Sequence, residues 1–320
     1  MKKKYLVTGA SGFLGSHLAD NFIQKGHKVV GCDNLIGGYL DNVPDKANFH
    51  QVDCNDYSTM VKLTKGIDMV VHCAATAYEG LSVFSPNIVT KNIVGSSISL
   101  ITASISNKVK RIVYCSSMAR YGTNKVPFNE NMRTNPQDPY GIGKVAGEDF
   151  LKNLCNIHNV EWVIAVPHNI IGPRQKYDDP YRNVASIMIN LMLQKRNPII
   201  YGDGKQKRCF SFINDDIDIL AKLAFDKKAK SEIINIGPDE EFIAINELSY
   251  HLSPDSKNIL LGCYWVEWII EFASICSKEK KLCVAGRRDN VPVVAKFQTD
   301  IIWIVWDLLL HYSKKKGDLC

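Results

Sequence analysis

The chain is predicted to form a doubly wound α/β fold with a mainly parallel sheet, joined to a smaller mixed C-terminal lobe. Three observations predict it. Short β-branched runs alternate with helix-period segments through the first two-thirds of the 320 residues, a glycine triplet separates the first run from the first helix, and 46% hydrophobic content is enough to bury a full core.

Taken in order, Tyr5–Thr8 is an apolar strand, and Leu14–Lys25 follows it as an amphipathic helix. Lys28–Cys32 and Phe49–Val52 read as the next strands, Tyr57–Thr64 as a helix and Met69–His72 as a fourth strand. Ile88–Ser106 has helical spacing, and Arg111–Cys115 is a fifth strand. Asp138 and Pro139 supply an N-cap and a first helical position for Tyr140–His158, which leads into the strand Trp162–Val166. After Ile170 the alternation loosens into Gly172-Pro173-Arg174, a helix near Val184–Gln194, the turn Gly202-Asp203-Gly204 and a helix near Asp215–Phe225. These later segments are expected over the carboxyl ends of the strands, where ligands bind in such sheets. With no repeat or low-complexity linker, the expected division is residues 1–168 and a second lobe of 169–320, interleaved with the first.

Composition excludes several classes. The net charge of +6 comes partly from Lys2–Lys4 and Lys314–Lys316, with no basic stripe interleaved with aromatics, so nucleic acid is not an expected partner. The ten cysteines form no CxxC pair and no signal peptide precedes the first strand, which points to a reducing cytoplasm. Ile259–Cys276 and Ile301–Leu310 are apolar but carry Glu267, Glu271 and Asp307, so they read as buried elements rather than membrane spans. Without an HxxxH motif or a Cys/His cluster, no metal is expected.

In Gly9-x-x-Gly12-x-x-Gly15 the first glycine permits a tight strand-to-helix turn, the second lets backbone approach a pyrophosphate, and the third lets helix and sheet pack closely. The helix amino terminus then faces the phosphates, and Ser11, Phe13 and Leu14 at this turn are expected cofactor contacts. Asp33, 18 positions after Gly15, is placed to accept hydrogen bonds from ribose hydroxyls and to repel a 2′-phosphate, favouring NAD over NADP. Asp53, expected at the end of the third strand, faces the adenine edge.

Tyr140 and Lys144 are four apart and share one helical face. A tyrosine with an ordinary pKa of about 10 is a poor base at neutral pH, and a neighbouring ammonium favours its phenolate. Ser117, just beyond the fifth strand, can hydrogen-bond the same substrate oxygen.

With the motifs Asp33-Asn34-Leu35, His72-Cys73-Ala74-Ala75, Asn92, Ser116–Gly122, His168–Gln175 and Tyr201–Arg208, the chain resembles the extended short-chain dehydrogenase/reductase family over about residues 4–250. Within it, nucleotide-sugar epimerases of the UDP-glucose 4-epimerase type are most similar. The resemblance implies an NAD-binding Rossmann domain with cofactor contacts at Asn34, Cys54, Cys73, Ala74, Ala75 and Asn92. It implies Tyr140 as base, Lys144 as its modulator and ribose ligand, and Ser117 as partner of the substrate oxygen. Asn169, Asn183, Tyr201 and Arg208 would hold the nucleoside diphosphate of a UDP-sugar, with Arg287 of Gly286-Arg287-Arg288 as a late phosphate ligand. A homodimer built from Ile88–Ser106 and Tyr140–His158 is also implied.

Related dehydratases carry an acidic pair just after the catalytic Ser/Thr, and related decarboxylases a Glu; Met118 and Ala119 stand there here, and neither exchanges protons. The expected reaction is therefore inversion at C4 of a UDP-hexose through a 4-keto intermediate, on glucose/galactose or their N-acetyl forms. A 4-keto reductase, a uronic-acid epimerase, a dehydratase and a non-catalytic NAD-binding protein remain alternatives. From about Leu260 the chain departs from the family pattern, which leaves the sugar open; Val294 falls where a large side chain in some relatives restricts the pocket.

Overall fold

The computed structural model describes residues 2–252 apart from 177, 182, 195 and 239–241. Arg287, Val294 and both late apolar stretches lie outside the described residues. In chain order the elements are β1 (Lys4–Thr8), α1 (Phe13–Gln24), β2 (Lys28–Asp33), β3 (Asn48–Gln51), α2 (Tyr57–Thr64), β4 (Met69–His72), α3 (Glu79–Phe84), α4 (Pro86–Thr90), a π turn (Lys91–Gly95) and α5 (Ser96–Ser106). They continue with β5 (Arg111–Cys115), α6 (Pro139–Ile157), β6 (Glu161–Pro167), β7 (Ile170–Ile171), α7 (Val184–Leu193), β8 (Lys207–Arg208), β9 (Ser211–Phe212), α8 (Ile213–Leu223), β10 (Glu232–Ile236), β11 (Ile243–Ala244) and α9 (Ile245–Leu252).

Seven strands form one parallel sheet in the order β10-β6-β5-β4-β1-β2-β3. The expected doubly wound Rossmann architecture is present. Strand order reverses between β1 and β4, where Thr8 lies opposite His72, and a ligand crevice opens beyond the carboxyl ends at such a switch point. One face of the sheet buries Leu6, Val70, Ile112 and Ile164 against Met60 of α2, Leu100 and Ile101 of α5 and Leu151 of α6. On the other, Tyr5 stacks on Phe22 of α1 with ring centroids 4.1 Å apart.

The described residues divide into two compact units, one of residues 2–170 with Ile213–Pro238, the other of Ile171–Phe212 with residues 242–252. Ile213–Pro238, read from sequence as part of the second lobe, packs with the first unit. Its helix α8 does not cap strand ends but lies beside α1, where Lys25 and Asn21 both reach Asp218 Oδ1 at 2.8 and 2.9 Å. Buried Arg111 anchors the end of α8 by donating to Leu223 O and Asp226 O, and it pairs with Glu161 at 2.7 Å. The helical run Pro86–Ser106 is long and apolar enough to cross a membrane by composition, but it packs against α2 and α6 in the first unit. In the second unit, α7 packs on α9 and β8 pairs antiparallel with β11.

Candidate active site

The glycine loop follows β1 directly. Gly9 has φ of 72°, and a Cβ there would lie 2.9 Å from Ala74 N, so backbone meets backbone across the switch point. A Cβ at Gly15 would fall 2.7 Å from Gly9 C, which is why α1 can start so close to the strand. No side chain caps α1 and its first turn holds no acid, the setting in which a helix N-terminus takes a phosphate. Ser11 Oγ is buried in this loop with no partner among the described residues, a cost of about 1–3 kcal/mol that an incoming acceptor removes. The loop therefore fits the pyrophosphate of the expected dinucleotide.

Asp33 ends β2 as expected and is buried. Its Oδ2 accepts from Ser11 N at 3.1 Å and its Oδ1 from Leu35 N at 2.7 Å, which fixes the carboxylate while leaving lone pairs for further donors. Asn34 Oδ1 accepts from Ile36 N. Asp53 does not end β3, which stops at Gln51; it sits two residues on, in a turn where Oδ1 accepts from Asn55 N and Nδ2. From Asn55 a chain of amide hydrogen bonds runs to Asn92 Oδ1 at 3.1 Å and from Asn92 Nδ2 to Thr76 Oγ1 at 3.0 Å. Cys54 belongs to the core, its sulfur 3.9 Å from that of Cys32.

Asp138 accepts from Gly141 N at 2.8 Å and Pro139 opens α6, so the expected cap is present. Tyr140 packs with Val89, Ile93, Ala75 and Ala119. Lys144, one turn on, is buried and donates to Cys115 O at 2.7 Å, with Nζ 5.9 Å from the Tyr140 ring centroid and 5.2 Å from that of Tyr114. Burial lowers its pKa, while Cys115, Cys73 and Glu148 act in the opposite sense. Ser117 accepts from Ala119 N at 3.2 Å and caps the short helix Met118–Arg120. That turn is pressed onto α6, because a Cβ at Gly141 would lie 3.0 Å from Ala119 O. Tyr140, Lys144 and Ser117 are thus gathered at the carboxyl end of β5.

Sequence reasoning missed Glu148, fully buried one turn beyond Lys144. It accepts from Ser116 Oγ and takes Arg120 on both oxygens at 3.0 Å; Arg120 also donates to Tyr121 OH, which donates to Asn235 Oδ1. The signal was present in the spacing Tyr140, Lys144, Glu148, which continues the active face along the helix. His72 is buried at the end of β4. Ser97 Oγ donates to Ile93 O and so accepts from His72 Nε2 at 3.2 Å, while Thr8 Oγ1, accepting from Ala74 N, donates to Nδ1 at 2.7 Å.

Asn169 has φ of 37° and lies beside His168, with Nδ2 3.4 Å from Nε2. In the second unit Asn183 is the N-cap of α7 and accepts from Ala185 N at 3.0 Å. Tyr201 is 79% exposed, and Arg208, also exposed, lies on β8 opposite Ile243.

A family model described as the NAD dependent epimerase/dehydratase family matches residues 5–237. The chain is 35% identical over 248 residues to a putative UDP-glucose 4-epimerase of Methanocaldococcus jannaschii, covering 76% of this chain and 79% of that protein. It is 31% identical to the UDP-N-acetyl-alpha-D-glucosaminuronate decarboxylase of Bacillus cytotoxicus, covering 75% and 77% of the two chains. The crystal structure of a Thermotoga maritima UDP-glucose 4-epimerase with UDP-glucose superposes with a TM-score of 0.74 at 30% identity, covering 78% of this chain and 82% of that one.

Proposed function

Because the chain belongs to the NAD dependent epimerase/dehydratase family, with NAD as its cofactor, we propose that it inverts C4 of a UDP-hexose through a 4-keto intermediate. NAD supplies the hydride acceptor and donor for the sugar carbon. Gly9, Ser11, Gly12, Phe13, Leu14 and Gly15 hold its pyrophosphate and Asp33 its adenosine ribose. Asn34, Asp53, Cys73, Ala74, Ala75 and Asn92 line the rest of that site in this reading, whereas Cys54, expected there from the sequence, packs in the core.

Tyr140 removes the proton of the 4-hydroxyl and returns it after the sugar has turned over. Lys144 stabilises the phenolate and holds the second ribose, and Ser117 steadies the reacting oxygen. Asn169, Asn183, Tyr201, Arg208 and Arg287 keep the nucleoside diphosphate role that the resemblance assigns them, with the planar fork of Arg208 suited to phosphate oxygens.

The observation that carries the reading is the turn beside Ser117. Met118 packs on the core and Ala119 against the Tyr140 cluster, so the two positions next to the serine offer no second acid or base. Epimerisation at C4 needs only one proton mover; dehydration and decarboxylation need more. A homodimer is part of the proposal, since α3, α4 and α6 pack together and leave Phe84, Ile88, Ile142 and Ile157 more than half exposed.

The test is to incubate the protein separately with UDP-glucose, UDP-N-acetylglucosamine and UDP-glucuronate and to resolve the products by chromatography. A C4 epimer is expected from UDP-glucose or UDP-N-acetylglucosamine, falling by about 10²–10⁴-fold in Tyr140→Phe, while an epimer from UDP-glucuronate alone would favour the uronic-acid alternative. A decarboxylated or dehydrated product, stoichiometric consumption of added cofactor, or no product at all refutes the proposal. Sedimentation velocity tests the dimer.

A further inference from the structure

We propose that Cys73 and Cys115 form a reversible thiol-oxidation site in the wall of the cofactor site, closing to a disulfide when a hydroperoxide is the oxidant. The cofactor half of this statement rests on the reading above. His72 pairs with Tyr114 in the β4–β5 register, so the next residues on the two strands, Cys73 and Cys115, stand side by side. Their sulfurs are 3.5 Å apart. Neighbouring strands are separated by about 4.8 Å, within the Cα range of roughly 4.4–6.8 Å that disulfides span. Only the sulfurs must close, to about 2.05 Å.

Three features set this pair apart from Cys32 and Cys54, whose sulfurs are 3.9 Å apart inside the core. First, Cys73, just past the carboxyl end of β4, is only half-buried, whereas Cys32 and Cys54 are both buried. Second, a cation is at hand, since Lys144 Nζ is hydrogen-bonded to Cys115 O. Third, the hydrogen bond from Cys73 and then the Lys144 charge hold the Cys115 thiol below its ordinary range, against burial, and the thiolate is the reactive form. The proton transfer assigned to Tyr140 uses neither sulfur.

The Cys115 thiolate attacks the terminal oxygen of the hydroperoxide; an S–O bond forms, the O–O bond breaks and the alkoxide leaves (hydroxide when the oxidant is hydrogen peroxide). That base takes the Cys73 proton and becomes the hydroxyl compound. The Cys73 thiolate then attacks the sulfenic sulfur, an S–S bond forms, and the departing hydroxide is protonated by solvent. Two thiols lose two electrons and the peroxide is reduced to water and the corresponding hydroxyl compound.

The full chain, freshly reduced, is treated with hydrogen peroxide, its remaining thiols are blocked with iodoacetamide, and the digest is read by mass spectrometry. A peptide joining Cys73 to Cys115 is expected, with two alkylatable thiols lost, both recovered with dithiothreitol, and joining slowed in step with NAD occupancy. If both cysteines stay alkylatable while others oxidise, or the joined pair is a different one, the proposal fails. Equilibrium dialysis of NAD run in parallel separates the two halves: binding without protection refutes the placement beside the cofactor, whereas absence of binding refutes the cofactor reading.

Discussion

Acidification below neutral pH should cost this protein stability through one buried ring, and His72→Gln should remove that dependence. Burial, and then the Lys144 charge, push His72 down to about 3. Its hydrogen bonds suit the neutral Nε2–H form, so a second proton on Nδ1 would meet the Thr8 hydroxyl hydrogen. In the unfolded chain the ring titrates near 6.5. The folded pKa is thus depressed for a cationic acid, so between about 6.5 and 3 the unfolded state binds the extra proton and stability falls as pH falls. At pH 5 the unfolded ring is almost wholly charged and the folded one almost wholly neutral, a loss of about 2 kcal/mol relative to pH 7.5.

Urea denaturation followed by circular dichroism at pH 7.5 and pH 5 measures this. Gln offers a neutral donor and acceptor, so the variant is less stable at both values but lacks the histidine contribution. The drop between the two pH values should be about 2 kcal/mol smaller in the variant than in the parent, because carboxylate titrations are common to both. Parallel drops would refute the argument. So would a His72 Hε1 resonance titrating near pH 6.5 in the folded protein.

Other perturbations follow from the same packing. Glu148→Ala leaves Arg120 charged and buried and should cost about 3–5 kcal/mol in urea unfolding, whereas Arg120→Met with Glu148→Leu should recover most of the loss. Gly15→Ala drives a methyl into the Gly9 backbone and should cost about 1–3 kcal/mol, with a smaller rise in Tm on adding NAD than the parent shows. Asp33→Ala should lower the preference for NAD over NADP about tenfold or more, the scale of hydrogen bonds to a charged group, read as a ratio of Kd values. An unchanged ratio would place the adenosine ribose elsewhere.

The first unit was legible because its strands are apolar runs closed by turn residues. Met69–His72, Arg111–Cys115 and Tyr57–Thr64 fall where the pattern put them, and Asp138-Pro139 marks the start of α6. What was not legible depends on distant partners. Glu232–Ile236 is a short apolar run far along the chain, and only pairing with β6 makes it the seventh strand. The π turn has no sequence signature, so 88–106 read as one continuous helix. At the site, the glycine loop, Tyr140, Lys144 and Ser117 carry local spacing that reports their arrangement. Glu148 continues the same helical spacing, but its pairing does not show in it, since Ser116 and Arg120 arrive from another element.

The π turn at Lys91–Gly95 amounts to a single added residue in the count of a helix, with Ser96 and Ser97 hydroxyls taking the Asn92 and Ile93 carbonyls at 2.6 and 2.5 Å. An α-helix advances by about 100° per residue, so deleting one residue here would let α4 and α5 fuse into a regular helix, but out of phase. Val89 would rotate away from Tyr140, and Asn92 from Thr76 and Asn55. The segment can therefore absorb many changes of side chain yet almost none of length, and across descendants of this gene insertions and deletions should stop short of it on both sides.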